Sequence, residues 1–177
     1  VAARSRSGGG AIRAAARPAQ PLRLLLDLVD EAFDHKSWHG TTLFGSLRGM
    51  TPEVAAWRPA PARHNIWEIV VHAAYWKYAV RRRLAGDKRG SFPFRGSNWF
   101  ARPPREAPDG AWPADVRLLA DEHRRLRDAV ASVPPSDLER PANGQSVTPA
   151  YLIRGIAAHD LYHAGQIQLI KRLRTGR

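Results

Sequence analysis

His159 and His163 stand four residues apart in His159-Asp160-Leu161-Tyr162-His163, a spacing that sets two imidazoles one helical turn apart on one face. Thr148 can cap a helix and Pro149 suits its first position, where a missing N–H costs nothing. Leu152, Ile156, His159, His163, Ile167 and Ile170 then recur at three- and four-residue intervals, which predicts a helix over Thr148 to Arg172 with these residues on its apolar face. Both imidazoles therefore face the core, where they can reach a common point. Neutral imidazoles so placed suit Zn, Cu, Fe or Ni, so the chemistry on offer is metal ligation. The bland alternative is a pair of hydrogen-bonded core histidines.

Two imidazoles are too few for a tight catalytic site, which takes three protein ligands and keeps a position open. His72 supplies a third, because Ile69, His72, Trp76 and Val80 share the apolar face of another helical pattern. His39 falls on a stripe with Leu25, Leu28, Ala32, His35 and Leu43, where it is a candidate fourth ligand, general base or satisfied core histidine. Gln166 lies three residues after His163 and shares its face, a candidate to hold a reacting water or line a pocket. Glu68, four residues before His72, can either orient that ring or cap its helix, and capping is the stronger claim. His35, His64 and His123 have polar neighbours or sit at helix ends and read as boundary residues.

These residues demand four helices. The patterns run over Pro21 to Leu47, Ile66 to Ala85 with Asn65 as N-cap, Pro113 to the Pro134-Pro135 stop, and the helix carrying the HxxxH pair. No stretch alternates with period two, so the expected fold class is all-α, a four-helix bundle occupying residues 21–177. Residues 1–20, rich in Arg, Ala, Ser and Gly, are expected to be a disordered basic tail, a transit-peptide-like segment or an over-extended reading frame. A long connection at 86–110 contains Phe92, Phe94, Trp99 and Phe100. It is too apolar for a free linker and is expected to fold back on the bundle, with Trp99 or Phe100 at the mouth of the site.

Composition narrows the function classes. Cysteine is absent, which removes disulfides, thiolate metal sites and a cysteine nucleophile. No apolar run approaches the roughly 20 residues of a membrane span, so a cytoplasmic protein without membrane partners is expected. The net charge of +12 divides into +5 in residues 1–23 and +7 in residues 81–105, leaving the rest of the chain balanced. That distribution points away from specific nucleic-acid recognition and allows only salt-dependent polyanion affinity.

Several local patterns resemble a known family. Trp38-His39-Gly40, Ile66-Trp67-Glu68-Ile69-Val70-Val71-His72, the Gly-Ser-Asn-Trp segment at 96–99, and His159 to Ile167 are similar to the DinB/YfiT-like group of bacterial metalloenzymes. The likeness covers Leu22 to Leu173, and the last motif is its most specific part. It implies a four-helix bundle of up-down-down-up topology, a metal held by His72, His159 and His163, and a homodimer. It also implies a small-molecule substrate, with hydrolases and low-molecular-weight thiol S-transferases or isomerases among the relatives. Zn or Ni is the expected divalent metal, with His39 and Gln166 as candidate catalytic residues. The competing expectation is a non-catalytic, metal-stabilised bundle with a closed four-histidine site.

Overall fold

The computed structural model describes residues 19–176 except 88, 89, 97, 105, 106, 142, 143 and 145. Residues 1–18 of the expected basic tail lie outside the described residues. Among the described residues the fold is all-α, with helices α1 (Gln20–Phe33), α2 (Pro52–Ala56), α3 (Ile66–Ala85), α4 (Ala111–Ala131) and α5 (Pro149–Thr175). The four long helices pack as a closed ring in which α3 touches α4 and α5, and α1 touches the same two. This arrangement is compatible with the up-down-down-up order. None of the helices is long and apolar enough to cross a membrane.

Local chemistry sets the helix ends. The Asn65 side chain accepts from the Glu68 N–H at 2.8 Å, and Glu68 reaches back to the Asn65 N–H, closing the expected capping box. Thr148 caps α5 through the Tyr151 N–H, with Pro149 as its first residue. The first helix is shorter than its periodicity predicts. It stops at Phe33, and the chain reverses through a turn with Gly40 at φ +98°, returning so that Leu43 N–H donates to Ala32 O and Phe44 N–H to Phe33 O. Leu43 is buried by this reversal and not by a helical turn. The buried face of α1 is centred one residue from the expected stripe: Leu22, Leu26, Val29 and Phe33 point inward together with the expected Ala32, while Leu25 is half-buried and Leu28 is exposed. The run Leu24-Leu25-Leu26 makes either phase readable from sequence.

The core divides into two apolar clusters, one around Ile66, Val70, Leu119 and Ile167, the other around Leu26, Leu126, Ile153 and Ile156. Each long helix places one buried polar residue at their boundary: Asp30, Lys77, His123 and Asp160. Lys77 and Asp160, both fully buried, form an ion pair between α3 and α5. Lys77 Nζ lies 3.3 Å from His123 Nδ1, and Arg127 donates to Asp30 at 2.8 Å. His123 is therefore no boundary residue. It is 6 % exposed and stacks on Phe33 at 3.7 Å between ring centroids. This polar layer fixes how α3 and α5 align, five residues from His72 and one from His159.

Gly165 on α5 offers a check of the packing. A Cβ added there meets nothing within 4 Å. Gly165→Ala is expected to stabilise the fold by about 0.5–1 kcal/mol through helix propensity, read as a higher midpoint in urea unfolding.

Candidate metal centre

His72 enters from α3, and His159 and His163 from successive turns of α5. Their Nε2 atoms converge: His159 Nε2 lies 3.1 Å from that of His72 and 3.0 Å from that of His163. All three ligand atoms fall within 4.8 Å of one another, a group that could hold a metal ion. Three nitrogens bound tetrahedrally at about 2.1 Å would stand about 3.4 Å apart, close to these separations.

The outer nitrogens decide which lone pairs point inward. His72 Nδ1–H donates to Asn98 O at 2.7 Å, and His163 Nδ1–H donates to Gln166 Oε1 at 2.7 Å. Both rings thereby present unprotonated Nε2 atoms to the same point, as second partners of metal-binding histidines do. His159 Nδ1 is buried without a partner among the described residues. One proton cannot satisfy three converging nitrogens, whereas a single cation can. The donor set fits a divalent transition metal.

Electrostatics agree. Burial lowers all three imidazole pKa values: His72 falls below its ordinary 6.5, His159 to about 3 with help from its two neighbours, and His163 to about 4 despite its bond to Gln166. The histidines are thus neutral near pH 7, as ligands must be. His123 is held to about 2, first by burial and then by Lys77. Since folding depresses these values, the unfolded chain binds protons first. Stability is complete above the unfolded value of 6.5 and declines as pH falls from there toward the folded values. For buried His123 alone the slope is about 1.4 kcal/mol per pH unit. Metal-free protein is expected to lose stability steadily between pH 6.5 and 4.5 in urea titrations; a flat profile there would contradict neutral buried histidines.

The histidines open into a cavity of about 610 Å³. Its walls are the 59–64 segment, Ile69, Trp99, and the α5 residues Tyr162, Gln166, Leu169, Ile170 and Leu173. Trp99 stacks on His72 at 3.9 Å, and His64 stacks on the other side of Trp99 at 3.5 Å, forming a three-ring stack at the site's edge. The 86–110 connection thus borders the site as expected. Phe100 instead packs beneath, with Tyr75, Phe92 and Phe94. Asn98 explains part of the Gly-Ser-Asn-Trp motif. It adopts φ +68°, a left-handed conformation that Asn tolerates better than most residues, and its side chain accepts from Trp76 Nε1 at 2.9 Å. Asn98→Val is expected to cost roughly 1–3 kcal/mol of backbone strain and to weaken metal affinity by misplacing the His72 acceptor, measurable by competitive chelation.

The structure brings His72, His159, His163 and Gln166 together. It does not bring His39, which sits in the exposed turn after α1 and borders a separate depression with Thr41, Leu161, Ala164, Gly165 and Gln168. The inward position expected of His39 depended on a helix that ends six residues earlier. Glu68 does not touch His72; it accepts two bonds from Arg58, at 2.7 and 3.0 Å, and one contact from His64 at 2.9 Å. Asn98 and His64 are the site residues that the helix patterns missed. Neither lies on a helix, so no periodicity marks them.

The family model described as the DinB superfamily matches residues 36–167, a span that includes α3, α4 and most of α5. No curated protein and no solved structure was found to match. The matched span takes in His72, His159 and His163 and well over half of the 177 residues, and the chain belongs to the DinB superfamily.

Proposed function

We propose that this protein is a metal-dependent enzyme of the hydrolase or thiol S-transferase type, holding one Zn or Ni ion through His72, His159 and His163. The observation that carries this reading is the convergence of three Nε2 atoms, with the His72 and His163 rings tied from behind. When bound, a divalent metal supplies Lewis acidity that activates water or a thiol near neutral pH. The chain's own residues do the rest. Asn98 O and Gln166 Oε1 hold two rings in the ligating tautomer. Trp99 fixes the plane of His72, and the apolar walls from Ile69 to Leu173 limit water around a small-molecule substrate. Among the described residues no carboxylate or fourth histidine joins the group, which supports an open position and opposes a closed structural site.

The reading includes a homodimer, supported by the outward Leu24 and Leu28 on α1, which leave an apolar strip on the surface. Sedimentation should give twice the 19.7 kDa chain mass. Catalysis is tested by comparing zinc-loaded with metal-free protein on a panel of esters, amides and thiol acceptors. Turnover confined to the loaded form is the expected result. Stoichiometric zinc with no difference across the panel would favour the metal-stabilised, non-catalytic bundle.

A further inference from the structure

Among the described residues that line the cavity beside the histidines, one cationic side chain has no assigned task. Arg63 lines it, and its backbone is held by Ala60 O and Arg58, yet its guanidinium makes no hydrogen bond or ion pair with any described residue. Its neighbour Arg58 is engaged by Glu68 and by the Arg63 carbonyl, and the Glu68 carboxylate is further occupied by His64 and the Asn65 N–H. Among the described residues no Asp or Glu lines the cavity. Leu169 and Leu173 line the same cavity and are 57 % and 55 % exposed, so the folded chain leaves a wet apolar wall and an exposed cation, Arg63, around one space. At about 610 Å³ the space suits a small organic molecule.

We propose that the cavity takes an amphiphilic anion, its apolar chain along Leu169, Ile170 and Leu173, its carboxylate or similar oxyanion on Arg63, and its reacting group at the three histidines. This assignment of substrate class rests on the metal-dependent reading above. A neutral polar ligand would leave the leucines wet, and a wholly apolar one would make no use of the Arg63 charge, which is exposed to water. A ligand with both parts uses both features of the cavity. Arg presents a planar fork that matches a carboxylate, which makes Arg63 the residue that selects the charged end.

Two hydroxamates of equal chain length separate the contributions. Octanohydroxamate ends in a methyl group, and suberic acid monohydroxamate ends in a carboxylate; both present the same metal-binding group. With zinc-loaded full-length protein, calorimetry is expected to show the carboxylate form binding roughly tenfold more tightly, the value of one charge-assisted hydrogen bond. In Arg63→Gln the order should vanish or reverse, because the carboxylate then enters an apolar pocket without a partner. An equal advantage in both proteins, a preference for the methyl end in the wild type, or no binding of either compound would overturn the substrate class. Zinc content is measured on the same samples. Loss of stoichiometric zinc from the wild type would overturn the metal-dependent reading itself, and with zinc bound the hydroxamate comparison bears on the substrate class alone.

Discussion

Lys77→Met is expected to cost about 3–5 kcal/mol of stability and to lower Tm by roughly 10 °C. Lys77 and Asp160 are both fully buried, and each is the other's charge partner. Burial alone lowers the Lys77 pKa and raises that of Asp160, and their direct contact opposes both tendencies. Removing the ammonium leaves a carboxylate whose Oδ1 already lacks a hydrogen bond among the described residues. The double variant Lys77→Met with Asp160→Val removes both charges and should recover most of the loss, since a buried pair often contributes little beyond its apolar replacement. Calorimetric unfolding of the three proteins checks this. A single variant as stable as the wild type would show that the layer carries no charge pair.

Zinc at a hundredfold excess over its Kd is expected to add about 2.7 kcal/mol to the wild-type fold, a Tm rise of roughly 5–10 °C. The stabilisation arises because only the folded chain brings α3 and α5 together, and because no partner among the described residues satisfies all three neutral nitrogens. His72→Ala and His163→Ala each remove one arm of the cluster and should abolish most of the shift. Gln166→Leu removes only the acceptor behind His163, which leaves all three ligands in place. Loss of such a partner weakens affinity roughly 10–100-fold, so the shift should shrink without vanishing. Differential scanning fluorimetry with and without zinc distinguishes these cases. An equal zinc shift in all four proteins would place the ion elsewhere.

The three clustered histidines were legible in the sequence because all sit on long helices whose apolar period is unambiguous, and the motif resemblance points to the same residues. The capping box of Asn65 and Glu68 and the Thr148 cap were legible for a related reason: they are local, set by contacts three residues apart. His39 was misplaced because its pattern crosses a chain reversal. Leu43 stays buried on either account, so hydrophobicity alone does not reveal that α1 has ended at Phe33. His123 was underestimated because Glu122 and Arg124 suggest a solvated face, while its actual surroundings are Phe33 and Lys77 from other helices. The same limit hides the Lys77–Asp160 pair, which spans 83 positions. Of the site's non-helical parts, Asn98 depends on where the long connection returns to the bundle and His64 on the short segment before α3, and no local rule encodes either. The Gly-Ser-Asn-Trp segment was visible as a motif, but its physical reason appears only when Asn98 O meets His72 Nδ1.

The central claim is that three imidazoles from α3 and α5 hold one divalent metal. Elemental analysis of untagged protein, exposed to zinc and then freed of excess by gel filtration, tests it most directly when wild type and His159→Ala are compared. His159 is the middle ligand, within 3.1 Å of both others, so its loss separates the remaining two. The expected result is one zinc per wild-type chain and almost none in the folded variant, with helical content retained by circular dichroism. Full zinc occupancy in His159→Ala, or none in the wild type, would contradict the account.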